Sequence, residues 1–338
     1  MGNDNQNEFF FRKKREEKED YESKNLSSLA KFSCDSKGRS VFEEPDEFKT
    51  CYEVDIARIL SSDDYADLNG RTQVFTLPKS HNVRNRLIHT QNVARLATYV
   101  ARNLGLNEDL TAAIAYGHDV GHPPGGHKGE RVLSDILGRS FKHQENSVIV
   151  LERNRFNLTH EVKDGILKHS CGMGRVDECE LPETNEGMVV AYVDKGEYVF
   201  HDIDEAVRAR IITEGNLPLS TLKTFGKNLS ERIETFTESM INYALGSHEI
   251  GLSKNVYNNF EDLREFMYKY VYRNIKIAHE EDKFGRGLEE LFYRMPFIEE
   301  FYHLDQNNKE EIAFALSRLT DTEALKYINE YRSPNTLA

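Results

Sequence analysis

Residues 85–130 read NRLIHTQNVARLATYVARNLGLNEDLTAAIAYGHDVGHPPGGHKGE. Val93, Leu96, Ala97, Val100 and Leu104 recur at the i, i+3, i+4 spacing of an amphipathic helix, and Gly105 stops the pattern. Asn107 is suited to cap a second helix, with Glu108 and Asp109 in its first turn, where the helix dipole favours negative charge. Leu110, Ala113, Ile114 and Gly117 form the buried face of that helix, and the pair His118-Asp119 closes it. The HPPGG that follows is a loop, because two prolines and two glycines cannot continue a helix. Of the twelve histidines in the chain, six fall between His81 and His143. Several imidazoles beside a carboxylate, bracketed by a Gly/Pro turn, point to a metal site rather than to scattered core or surface histidines.

Helical periodicity continues outward from this stretch. HKGERVLSDILG, HQENSVIVLERN and, after Thr159 as cap, EVKDGILKH each read as a helix, followed by a polar loop over 171–186. Residues 188–212 form a long helix on which Asp194, Tyr198 and Asp202 step by four and share one face, with His201 and Glu205 beside them. Beyond residue 217, four further patterns (NLSERIETFTESMINYAL, NFEDLREFMYKYVYRN, GRGLEELFYRM and KEEIAFALSRLTDTEALKYINEY) carry aromatics at helical spacing, suited to core and oligomer packing. Upstream, 52–60 reads as a short helix. GRTQVFTLP is the only stretch that reads as a strand, and Pro78 ends it. Residues 1–25 are charge-dense and core-poor, the pattern of a disordered lead-in, and 26–50 suggest an irregular wrap over the core. With no repeat and no composition break, residues 26–338 are expected to form a single domain.

The 338 residues suffice for a sizeable core. A formal net charge of −13 argues against a general nucleic-acid binder, which usually carries a basic face. It does not exclude a small polyanion, which needs only local cations such as Lys79, Arg84, Arg86 and Lys195. No apolar run is long enough to cross a membrane, and the N-terminus lacks the pattern of a signal peptide, so the expected location is cytoplasmic. Cys34, Cys51, Cys171 and Cys179 form no CxxC pair and read as reduced thiols.

His89 on one helix, His118 and Asp119 at the end of a second, and Asp194 on a third would give a mixed N/O ligand set. Such a set suits one divalent metal (Mn, Mg, Fe, Ni or Zn) with positions left for water and substrate. A metal of that kind acidifies bound water and polarises a phosphoryl oxygen, as phosphate-ester hydrolysis requires. His160, His169 and His201 read as helix or surface histidines instead.

The H…HD…D pattern resembles that of the HD-domain phosphohydrolases, and the fuller text resembles their deoxyguanosine-triphosphate triphosphohydrolase branch. NRLIHTQNV, AAIAYGHDVGHPPGGHKGE, FKHQENS, LTHEVKDGILKH and EGMVVAYVDKGEYVFHDIDEA carry the match, with weaker echoes in GRTQVF, LREFMYKYVY and LSRLTDTEAL. The resemblance implies an all-α HD-domain helical bundle, with a core over about 80–210, additional C-terminal helices over about 215–338, and at most a short β-hairpin. It implies hydrolysis of deoxynucleoside triphosphates to deoxynucleoside and inorganic triphosphate around one metal held by His89, His118, Asp119 and Asp194. His127 and Glu130 would be a catalytic pair, and His143 would protonate the leaving 5′-oxygen. Arg86, His122 and Lys195 would meet the phosphates, Tyr198 and Asp202 the sugar, and Gln73 the sugar or base. Assembly into a homo-oligomer and response to a nucleotide effector are also implied.

Two positions depart from the family pattern. The usual PFGH reads Pro124-Gly125-Gly126-His127 here, without its aromatic residue, and the A-D-x-I-A-Y element reads V-D-K-G-E-Y, with Gly196 inside a helix. A mid-helix glycine costs ~1 kcal/mol against alanine, so Gly196 predicts close approach by a neighbour. Two alternatives stand beside the triphosphohydrolase: an HD-type phosphodiesterase or nucleotidase acting on another phosphate ester, and a nucleotide-sensing regulatory protein.

Overall fold

The computed structural model describes residues 12–73, 84–170 and 180–332, and everything regular in it is helical. Among the described residues there are fifteen α-helices and no strand. Two isolated backbone bridges, Arg39 with Thr159 and Thr72 with Asn85, are the only extended pairings there. The all-α expectation holds. Most of the possible strand, residues 74–78, lies outside the described residues, as do Lys79, His81, Cys171 and Cys179.

The chain begins with α1 (Arg15–Asn25), α2 (Cys51–Leu60) and the short α3 (Asp63–Asp67). The described part of the lead-in is therefore ordered where disorder was expected. Its helix has no apolar stripe to announce it. Ion pairs one turn apart hold it, Arg15 with Glu19 at 2.6 Å and Lys24 with Asp20 at 2.7 Å. Polar bonds dock it: Lys18 meets Glu53 at 2.6 Å, and the buried Glu22 carboxylate accepts both the backbone N–H (2.6 Å) and the hydroxyl (2.7 Å) of Ser33.

Next come α4 (Arg86–Leu104), α5 (Glu108–Gly117), α6 (His127–Leu137), α7 (His143–Arg153), α8 (His160–Lys168) and α9 (Asn185–Arg208). Capping sets these boundaries, those at Gly105 and Asn107 as the sequence predicts. Asn85 accepts from the Ile88 N–H at 3.0 Å to start α4, and Gly105 ends it in a left-handed conformation. Asn107 starts α5 by accepting from the N–H groups of Asp109 and Leu110. Helices α4, α5 and α9 pack on one another, with α2, α8 and α11 (Leu229–Ser247) around them. Their buried apolar faces, including Val93, Ala97, Leu110, Ile114, Val162, Val190 and Phe200, form the larger core.

The remaining helices are α10 (Leu219–Phe225), α12 (Lys254–Met267), α13 (Ile275–Arg294), α14 (Lys309–Ser317) and α15 (Asp321–Arg332). Phe225, Phe236 and Phe260 pack around Phe200 in the larger core, which confirms a packing role for part of the C-terminal aromatic pattern. A second, smaller core joins Leu133 and Ile136 of α6 to Phe284, Leu288, Leu291 and Phe292 of α13, Ile312 and Leu316 of α14 and Ile328 of α15. Its effect is to clamp the C-terminal helices onto α6, the helix that begins with His127.

Candidate metal centre and catalytic histidines

The four candidate ligands arrive from three helices or their ends. His89 lies one turn into α4, His118 and Asp119 follow α5, and Asp194 lies in the middle of α9. Helix α7 fixes the HD turn in place: Ser147 Oγ donates to the His118 carbonyl and accepts from the Gly121 N–H, both at 2.9 Å. Asn146 Nδ2 donates to the Gly121 carbonyl at 2.8 Å. Through these two side chains FKHQENS braces the histidine stretch.

The ligand atoms converge. His89 Nε2 is 2.9 Å from Asp194 Oδ1 and 3.8 Å from Asp119 Oδ2. His118 Nε2 stands 3.6 Å from Asp119 Oδ2 and 3.7 Å from Asp194 Oδ1. His118 Nδ1 donates to the Ala115 carbonyl at 2.7 Å, so its Nε2 carries the lone pair, and this buried atom has no hydrogen-bond partner among the described residues. A buried lone pair facing two carboxylate oxygens calls for a cation between them. Two imidazole nitrogens and two carboxylates, all buried, fit a divalent ion; His89, His118, Asp119 and Asp194 are the residues that would hold it.

The electrostatics agree with that fit. Burial disfavours charge on His89, yet Glu197 and Asp194 outweigh it and push the imidazole up to about 10. Burial likewise opposes the charged forms of Asp119 and Asp194. His118, Arg86 and His122 hold Asp119 well below the usual carboxylate range, and His89 and His118 bring Asp194 down to about 2. The carboxylates are ionised and the surroundings favour positive charge at their centre.

A second group adjoins the first through Asp119. His122 Nε2 lies 3.2 Å from Asp119 Oδ1, and the His122 ring stacks on His143 with centroids 3.8 Å apart. Glu130 joins the two other histidines, accepting from His127 Nδ1 at 2.6 Å through one oxygen and from His143 Nδ1 at 2.8 Å through the other. Burial, then Arg86 and His143, drive His122 well below its ordinary value, so it is neutral. His143 goes the other way: against burial, the Glu130 carboxylate raises it. The Glu130 carboxylate thus favours the protonated form of His143, while His127 is exposed at the rim.

The other expected residues fall into three groups. Arg86 is buried, and its Nη1 bonds Asp119 Oδ2 at 2.7 Å, so this cation is tied to a carboxylate of the centre. Gln73 lies beside it and accepts from Arg86 Nη2 through its backbone carbonyl at 3.4 Å; its buried Oε1 has no hydrogen-bond partner among the described residues. Lys195 is buried next to Asp194. Tyr198, raised by burial, lies against Arg264. Asp202 takes a hydrogen bond from Tyr272 Oη at 2.7 Å and one from Arg84 Nη2 at 3.1 Å, and burial pushes it up to about 7 despite Arg84.

Sequence reasoning missed three residues here. His169, expected to be a helix or surface histidine, is buried with its Nε2 3.3 Å from His143 Nε2, and burial followed by His118 and His143 lowers it to about 3. Its place at the end of α8, where that helix packs on α7, is what brings it in. Glu197 bonds His89, and its spacing of three from Asp194 was the available signal. Tyr272 had only its place at the end of LREFMYKYVY as a signal, because a π turn over residues 268–272 shifts the face it presents.

The HD domain family matches residues 86–199, the span from the first turn of α4 to α9. Three relatives are described as deoxyguanosinetriphosphate triphosphohydrolase-like proteins. That of Caldanaerobacter subterraneus subsp. tengcongensis is 40% identical over 96% of this chain and 97% of its own length. That of Clostridium perfringens strain 13 is 39% identical over 92% and 90%, and that of Clostridium tetani 38% over 81% and 79%. The fold and the matched span define an HD-domain phosphohydrolase, a hydrolase. The chain belongs to the family of deoxyguanosinetriphosphate triphosphohydrolase-like proteins.

Proposed function

We propose that this protein hydrolyses deoxynucleoside triphosphates to deoxynucleoside and inorganic triphosphate. The observation that carries the reading is the pair of adjoining groups: the His89, His118, Asp119 and Asp194 cluster, and a Glu130-bonded His143 whose Nε2 is 3.9 Å from Asp119 Oδ1. Phosphoryl transfer needs electrostatic stabilisation on one side of phosphorus and a proton for the leaving oxygen on the other. A divalent ion in the centre would supply charge stabilisation at the α-phosphate. Water forms the new bond to the α-phosphorus, the bond to the 5′-oxygen breaks, and His143 delivers the proton to that oxygen. Glu130 orients both His143 and His127, so that His127 can manage a second proton at the rim. Lys195 and Arg86 are the cations for the triphosphate, with His122 beside them; Arg86 must loosen from Asp119 to serve there.

Asp202, which accepts a hydrogen bond from Tyr272, would meet the deoxyribose, and Tyr198 on the same helix face would pack on the sugar. The names of the relatives support a guanine nucleotide among the substrates. A homo-oligomer and a nucleotide effector complete the reading. No helix among the described residues is long and apolar enough to cross a membrane, in keeping with work in the cytoplasm. The test is phosphorus NMR of products after incubation with each deoxynucleoside triphosphate and Mn or Mg. Intact inorganic triphosphate is expected, and release of pyrophosphate or orthophosphate alone would overturn the proposal.

A further inference from the structure

Most of the contacts around His89 follow from its place as a ligand, but its second nitrogen has an unusual neighbour. Nδ1 faces Glu197 Oε2 in a short hydrogen bond, and the Glu197 side chain is fully buried. The comparable nitrogen of His118 meets only a neutral backbone carbonyl, that of Ala115. The carboxylate under His89 is itself firmly held. Its Oε1 accepts from Arg84 Nη1 at 2.6 Å and from Asn92 Nδ2 at 3.0 Å, and His201 Nδ1 stands 3.0 Å away.

In the element A-D-x-I-A-Y an alanine stands at this position, and alanine can neither accept a hydrogen bond nor carry charge. Here the substitution places a buried carboxylate behind a metal-ligating imidazole. A carboxylate that takes the Nδ1 proton fixes the ring's tautomer, orients Nε2 and makes it a stronger donor. Burying a carboxylate is costly unless it is paired and hydrogen-bonded, and Arg84, Asn92 and His89 meet that requirement together.

The geometry points to Glu197 as a positioning residue of the metal centre, which fixes His89 with Nδ1 protonated and Nε2 toward the ion and so tightens metal binding. Arg84 extends the arrangement. Its other terminal nitrogen bonds Asp202, so one guanidinium ties the carboxylate behind the metal ligand to the carboxylate beside Tyr272. The inference rests on the metal centre proposed above, but not on the identity of the substrate.

The test is a manganese titration of the metal-stripped full-length protein, read by the electron paramagnetic resonance of free Mn, for wild type, Glu197→Gln, Glu197→Ala and Glu197→Asp. Loss of an outer-shell carboxylate typically weakens metal binding by about 10–100-fold. Glu197→Gln is expected near the low end of that range and Glu197→Ala near the high end, with Glu197→Asp recovering part of the loss. The visible spectrum of the cobalt-loaded protein reports ligand geometry directly, and it is expected to shift in all three variants. A Glu197→Gln protein that binds Mn within twofold of wild type, with an unchanged cobalt spectrum, would overturn the proposal. Should the Gln and Ala variants fail to fold, Glu197→Asp decides it: wild-type affinity together with a wild-type spectrum would overturn it as well. Wild-type protein that binds no divalent ion would overturn the metal centre and this inference together, so the two failures are distinguishable.

Discussion

Phe284 of α13 lies against Gly125 in the loop that leads to His127: a β-carbon at Gly125 would stand 2.9 Å from two carbons of its ring. The loop lacks the aromatic residue that its family pattern carries, and an aromatic ring from the C-terminal half occupies the space beside it. Gly125 also has φ +72°, a backbone conformation that side chains strain. Phe284→Ala would open a cavity in the smaller core and is expected to destabilise the protein by about 3–5 kcal/mol. Turnover measured well below the melting transition should fall by up to about 10²-fold through misplacement of His127, while metal affinity stays at the wild-type level. Equal loss of metal affinity would contradict this division of labour.

Gly196 of α9 shows the close approach that a mid-helix glycine predicts. A β-carbon there would lie 2.6 Å from Phe236 of α11. Gly196→Ala gains helix propensity but overpacks the α9–α11 contact, and the net expectation is a loss of about 1–3 kcal/mol. Urea unfolding measures it, and a stabilised variant would show that Phe236 yields freely.

Removing a ligand should remove the ion and its stabilisation together. Manganese at about 100 times its dissociation constant is expected to stabilise the wild-type fold by ~2.7 kcal/mol, and excess chelator to reverse this. Asp194→Ala should show no response to either addition in thermal unfolding. A normal response would exclude Asp194 from the ligand set.

Proton delivery by His143 has a kinetic signature. Because Glu130 raises its pKa, hydrolysis should decline as pH rises past that elevated value and the imidazolium is lost. His143→Gln should lower the turnover rate and flatten this alkaline limb, while manganese still binds. A limb that survives the substitution belongs to another group.

Stability should carry a separate pH dependence, far from the site. Glu186 is fully buried; its Oε1 accepts the backbone N–H groups of Lys31 and Asn107, both at 3.0 Å, and its Oε2 has no partner among the described residues. Burial raises it from 4.5 to about 6, so between those values the folded chain keeps a proton that the unfolded chain has released. That contribution is intact below about pH 4.5 and is lost as pH rises through 6. The loss is on the order of 2 kcal/mol. Glu186→Gln should therefore raise the melting temperature at pH 8 but not at pH 4.5, and an equal shift at both would refute the account.

Much of this was legible in the sequence, for physical reasons that differ by element. The α4–α5 pair announced itself because apolar spacing, an asparagine cap and a glycine stop all agree there. His89, His118 and Asp119 were readable because the chain brings them close within thirty-odd residues through one helix turnover; Asp194 needed the family resemblance. What stayed hidden depends on tertiary pairing. Helix α1 is held by charges instead of an apolar face, so its composition resembled a solvated segment. His169 reaches His143 only because α8 packs on α7, and Tyr272 reaches Asp202 only past a π turn. Phe284 against Gly125 joins positions far apart in the chain, which no local pattern records.

Asp321, at the first turn of α15, accepts the Gly125 N–H at 2.9 Å through one oxygen and the Thr72 N–H at 3.0 Å through the other. The residues expected to hold the ion are all translated long before this one, yet the loop that carries His127 is anchored by it. During synthesis the ligand set can therefore assemble first, and the proton-handling loop is secured only when residue 321 has left the ribosome. The loop that carries His127 thus takes its anchor from a residue translated 196 positions after the glycine it holds.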